Sequence, residues 1–212
     1  MASRVTRANG EASRLRILES ALEIAGERGY SGTSISEVSK RSGLPNSSIY
    51  WHFKDKDALF AAVIDHSYEL WRADFDTRAR RPVQSPGESV EALQESLSQF
   101  PAFLRFGQLM VLEQHENELG ARSAFLRIRK QALVDLAANF TRMTGCDPTT
   151  ARNLASLALA MVDGAFLARA AGERNPGSKG FMAQMFDACV REAIGSEVGM
   201  TAGARSGARA AR

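Results

Sequence analysis

Apolar positions recur along this chain at helical spacing, and no stretch alternates apolar and polar residues for the length of a strand. The pattern predicts an all-α protein. The first helix is expected over Ala12 to Arg28, with Ile17, Leu18, Ala21, Leu22, Ile24 and Ala25 on its inner side and Gly29 as its stop. Thr33 or Ser34 can cap a short second helix, Ile35 to Arg41, and Glu37 completes a capping box if Ser34 is the cap. Gly43 ends that helix. Pro45 suits the first turn of a third, which runs to about Trp51. A long fourth helix follows from Asp55 to about Arg78.

Arg78 to Gly87 is rich in Arg, Pro, Ser and Gly and reads as a linker. Five further helices are expected over Glu88–Gln99, Pro101–His115, Ala121–Thr144, Thr149–Ala171 and Gly180–Ile194, with breaks at Gly and Pro. The expected organisation is therefore a disordered arm at 1–10, an N-terminal helical domain at 11–71, a C-terminal domain at 81–196 and a disordered tail at 197–212.

Composition narrows the function. With 27 Lys+Arg against 24 Asp+Glu, the chain lacks a basic coat, so a nucleic-acid surface must be local. Cys146 and Cys189 are far apart and without a CxxC partner, which argues against a disulfide framework and for a reducing cytoplasm. Leu154 to Ala168 is strongly apolar but short of the ~20 residues that span a bilayer. It also carries Asp163, so it reads as a buried helix and the chain as having no membrane partner.

Residues 34–53 hold two short helices around a turn at Gly43, the arrangement of a helix-turn-helix whose second helix can enter a major groove about 12 Å wide. Side chains suited to phosphates or base edges gather there: Thr33 and Ser34 at the start of the first helix, then Asn46, Ser47, Ser48, Tyr50, Trp51 and His52. Lys56 opens the next helix, where helix N–H groups also favour phosphate. Arg4, Arg7, Arg14 and Arg16 bias the preceding segment towards positive charge.

With Gly29-Tyr30, Thr33-Ser34-Ile35, Gly43-Leu44, Ser47, Tyr50, His52-Phe53, Lys56 and Leu59 at these spacings, and Ile17-Leu18 and Ala21 upstream, the first third of the chain resembles the DNA-binding domain of the TetR (tetracycline-repressor-like) family of bacterial transcription regulators. Val38-Ser39, Ser42 and Ala25 depart from the family's usual Ile-Ala pair, Ala and larger apolar residue. The resemblance implies operator DNA and a second copy of the chain as partners, and a small-molecule effector bound in the C-terminal domain. A repressor released by its ligand is the expected mode of action.

No catalytic or metal constellation accompanies this. His115 lacks a second histidine at metal-binding spacing, no GxGxxG or phosphate-binding loop occurs, and no cofactor is implied. Eight of the eleven Phe lie at or beyond position 100. Phe103, Phe106, Met110 and Phe140, closed by Trp71 and Met143, are the expected lining of an apolar effector site, with Glu113 as its one polar group and a slight preference for a cationic lipophile. Eight alanines between 151 and 171, and the stripe Met182, Met185, Phe186, Cys189 and Val190, point to dimerisation through the last two helices, with Leu157 and Met161 contributing. Two alternatives stay open: a DNA-binding protein of this type without an effector, or a helical-bundle binding protein or enzyme with a non-functional DNA head.

Overall fold

The computed structural model describes residues 2–78, 83–113, 119–173 and 180–210, with side chains for 9–78, 83–113, 119–173 and 180–195. Among the described residues the regular elements are helices: α1 (Ala2–Arg28), α2 (Ile35–Ser42), α3 (Asn46–His52), α4 (Lys56–Arg78), α5 (Pro86–Leu97), α6 (Pro101–Leu112), α7 (Gly120–Thr144), α8 (Pro148–Ala170) and α9 (Phe181–Ala210). The chain divides into two compact units. The first is Met1–Asp76 with Gln99–Arg129, and the second is Thr77–Ser98 with Lys130–Arg212.

Residues 99–129 thus return to the head, whereas the sequence pattern assigned everything beyond 81 to a second domain. The reason is close packing of α6 on α1. Gly26 brings the two backbones together, and a Cβ there would sit 3.2 Å from the Ala102 Cα. Gly107 likewise leaves room for the Phe125 ring. Ile17, Leu18, Ala21, Ile24 and Ala25 of α1, Val38 of α2, Ile49 of α3 and Leu59, Phe60, Val63 and Ile64 of α4 are buried. Fully burying one such large apolar side chain is worth about 1.5–3 kcal/mol.

Two expectations about the ends are corrected. Helix α1 starts at Ala2, inside the arm expected to be disordered, and α9 continues to Ala210 through the expected tail. Both stretches are proline-free and carry alanine and arginine, good helix formers, alongside the helix-weakening Gly10, Gly199, Gly203 and Gly207. At Gly10 the first helix also meets the Trp51 ring, 3.9 Å from where a Cβ would lie.

In the second unit α9 packs on α5 and α8. Asp187 of α9 accepts hydrogen bonds from the Ser85 hydroxyl (2.7 Å) and the Gly87 N–H (2.8 Å), so an acid from the last helix steadies the start of α5. Phe140 and Phe186 stack 5.3 Å apart and are fully buried, and Val190 is buried beside them in this core. Phe186 and Val190 were expected at a dimer contact. The structure places them in the chain's own core, because the 3-1 stripe that contains them is the side of α9 that α5 and α8 cover. Met182 and Met161 are half-buried, while Leu157, Met185 and Cys189 are exposed.

Candidate nucleic-acid interface

The turn geometry begins with caps. Ser34 accepts from the Glu37 N–H (3.2 Å) while Glu37 accepts from the Ser34 N–H (2.9 Å), closing the predicted capping box at the start of α2. Gly43 ends α2 at φ +68°, a left-handed conformation in which a Cβ is strained. The serines that depart from the family pattern then brace the turn. Ser39 donates to the Leu44 carbonyl (2.7 Å), Leu44 N–H donates to Ser42 Oγ (3.4 Å), and the Arg16 guanidinium donates to the Ser42 carbonyl. Hydrogen bonds here do the work that alanine packing would otherwise do, which is why polar residues fit a tight helix–helix contact.

Helix α3 follows Pro45 and buries Ile49 on one side. Its other side is open: Asn46, Ser47, Tyr50 and Trp51 are exposed, Tyr50 at 56% and Trp51 at 77%. Ser48 and His52 are half-buried, and Ser34 is exposed at the start of α2. Trp51 and His52 meet edge-to-face at 4.5 Å, and Arg14 lies over the Phe53 ring at 5.5 Å. Burial, and secondarily the positive charge of Arg14, lower the His52 pKa below its ordinary 6.5 against a smaller opposing pull from Glu11. The shift favours the neutral imidazole in the free protein. Beside it, the exposed Asn46, Ser47 and Tyr50 carry amide and hydroxyl groups of the kind that can contact phosphates or base edges. The side chains of Arg4 and Arg7 lie outside the described residues.

Thr33 leaves the set. It is 2% exposed, and its hydroxyl donates to the Gly29 carbonyl (2.8 Å), closing an unsatisfied group at the end of α1. Lys56 is engaged within the chain. Its ammonium sits 4.2 Å from the centre of the Tyr30 ring, half-buried, and burial lowers its pKa while the carboxylates of Glu113 and Glu37 pull the other way.

The expected effector residues separate. Phe103, Phe106 and Met110 are buried in the first unit, Phe106 against Phe60 (5.4 Å) and Phe103 against Phe125 (6.1 Å). Trp71 is buried in the same unit. Phe140 and Met143 belong to the second, where the Met143 sulfur faces Ser89 and Asn139. Glu113 is not the polar group of an apolar lining. It ends α6 against the Gly29 turn, where any Cβ on Gly29 would overlap its carboxylate, and it acts electrostatically on Lys56. His115 and Glu116, weighed with Glu113 as a charged cluster, lie outside the described residues. Sequence reading missed Asp57, whose carboxylate accepts from the Gly120 N–H (2.9 Å) and the Ala121 N–H (3.4 Å) at the start of α7. A helix start and an acid 63 residues apart leave no local signature.

Residues 17–63 match the family model described as bacterial regulatory proteins, tetR family. Over 96 residues the chain is 32% identical to the HTH-type transcriptional regulator AcrR of Shigella flexneri, covering 45% of this chain and 43% of that one. The chain therefore aligns over less than half of this relative's length. Among solved structures it is similar to a TetR transcriptional regulator from Legionella pneumophila (TM-score 0.66, 17% identity, 84% of this chain and 94% of the other). It is also similar to the regulator FadR from Bacillus subtilis in complex with stearoyl-CoA (TM-score 0.60, 15% identity, 85% and 97%). These identities speak to the fold. A capped helix-turn-helix thus stands at the matched residues, within a frame that is helical among the described residues, and residues 17–63 are similar to the DNA-binding part of the tetR family of bacterial regulatory proteins.

Proposed function

We propose that the protein is a homodimeric transcriptional regulator, a repressor that binds operator DNA through α3 and leaves it when a small apolar effector is bound. The observation that carries this is the open side of α3, with Asn46, Ser47, Tyr50 and Trp51 exposed over a well-packed base. A monomeric protein gains nothing by exposing an indole at 77% on a short helix. The FadR of Bacillus subtilis is in complex with stearoyl-CoA, whose acyl chain is apolar although its CoA head is anionic, which supports an effector with a large apolar part.

The dimer surface of this reading is the exposed side of α8 and α9. Helix α8 is long and apolar enough to cross a membrane by length and composition, yet Ala151, Leu154, Ala155, Ala158, Leu159, Val162 and Ala165 occupy its buried side. Its other side carries Leu157, Ala160, Gly164 and Leu167 at 3-4-3 spacing, with Leu167 67% exposed. On α9, Phe181 and Met185 are exposed one turn apart and Cys189 follows. Small residues at 160 and 164 permit close helix approach, so a second copy covering this side fits the pattern. Two-fold symmetry then sets half-sites about 34–36 Å apart or a multiple.

The test is a mobility-shift assay on DNA fragments flanking the gene. A fragment should be retarded with a log–log salt slope of about −0.9 per neutralised phosphate. Tyr50→Ala and Asn46→Ala should weaken binding at least tenfold with unchanged thermal midpoints. Retention of wild-type affinity in both variants would remove α3 as the reading surface.

A further inference from the structure

Trp71 lies on α4, 8% exposed, between Tyr68 (5.6 Å) and Phe75 (5.4 Å), which share its helix face. Its indole Nε1–H is buried and meets no hydrogen-bond acceptor. Buried donors are nearly always paired, and leaving one unpaired costs more than its apolar body requires, since Phe would offer a similar ring without the donor. Tryptophan is useful at such a position when something presents an acceptor to it.

We propose that the Trp71 Nε1–H is the polar anchor of the effector site, and that the site takes an uncharged apolar molecule bearing one acceptor oxygen, such as a ketone or ester, directed at that N–H. This deepens the ligand-controlled reading above and rests on it. The chemistry selects against both ions. An indole N–H donates and cannot accept from an ammonium group. Both neighbouring rings crowd the indole, which leaves its π-face poorly placed for a cation. Glu113, the carboxylate expected to attract one, is engaged at the Gly29 turn. A carboxylate ligand would need a counter-charge, and the adjacent guanidinium, Arg72, is bound to Asp76 (3.1 Å).

The chain has two tryptophans, so Trp51→Phe leaves Trp71 as the single indole in a nitrogen-15 correlation spectrum. The probes are matched pairs in which a carbonyl is replaced by its alkene isostere: acetophenone with α-methylstyrene, and 2-undecanone with 2-methyl-1-undecene. Benzyltrimethylammonium is the cationic probe. At least one ketone should move the Trp71 indole proton downfield, saturably, with a Kd about tenfold below that of its alkene partner. Trp71→Phe, read by calorimetry, should bring that pair within twofold. Because the indole proton itself reports in otherwise intact protein, the outcome does not hang on how Trp71→Phe folds. Alkenes binding as well as ketones, an indole proton that no ketone moves, or binding of benzyltrimethylammonium alone would each overturn the proposal. Operator binding is read separately. Wild-type protein that shifts DNA but fails with ketones loses this inference alone, whereas protein that binds ketones through Trp71 but no DNA loses the regulatory reading.

Discussion

The helix-turn-helix and the much longer α8–α9 pair each have one buried and one open side, but they came to that state by different routes. In the first, each boundary is set by a neighbour in sequence: Ser34 with Glu37, Gly43 at φ +68°, Pro45, Asp55 accepting from the Ala58 N–H (2.8 Å). In the second, the sides of α9 are assigned by distant residues, Phe140 against Phe186 and Ser85 and Gly87 on Asp187. Local chemistry names both the element and its open side. Periodicity without local markers names the element and leaves the choice of side to packing.

The comparison is broken most directly at α9. Phe186→Ala should destabilise the second unit by about 3–5 kcal/mol, the usual cost of emptying a buried aromatic site, seen as a large fall in the urea midpoint. Met185→Glu, one residue away but exposed, should leave that midpoint nearly unchanged while light scattering reports monomers. If instead Met185→Glu unfolds the protein and Phe186→Ala merely dissociates it, the two sides of α9 have been exchanged.

A smaller effect probes the head. Gly29→Ala imposes a Cβ at φ +71° and displaces the Glu113 carboxylate, so it should cost at least the ~1–2 kcal/mol of the left-handed strain. Pairing it with Glu113→Ala should recover part of the loss in a double-mutant cycle, because the overlap is gone. Strict additivity would show that Glu113 does not rest on this turn.

Ser34→Ala removes one half of the capping box and should cost ~1 kcal/mol in thermal unfolding, with Ser34→Asp close to neutral. The smallest effect is the pH response of His52. Its folded pKa lies below 6.5 and the unfolded chain titrates at the ordinary value, so the folded state binds fewer protons in that window. Its contribution is complete above pH 6.5 and is lost as the pH falls through the folded value. Thermal midpoints should therefore drop on acidification below 6.5, and less so in His52→Gln. An NMR titration placing the free-protein His52 above 6.5 would reverse the sign.

Helix content, the position of the recognition turn and most of its exposed residues were legible from the residues alone, since caps, glycine conformation and 3.6-residue spacing act over a few positions. The family resemblance rested on those same local anchors. What the chain's order concealed was long-range. Thr33 is buried because its hydroxyl closes the end of α1, and Glu113 is drawn to the head because Gly29 leaves space for it. Residues 99–129 rejoin the first unit because Gly26 lets α6 approach α1, and Phe186 rather than Met185 faces the core because α5 covers that side of α9. Each depends on which surface finds a complementary one across tens of residues, and burial of apolar area chooses among helical faces that hydrophobic spacing alone leaves equivalent.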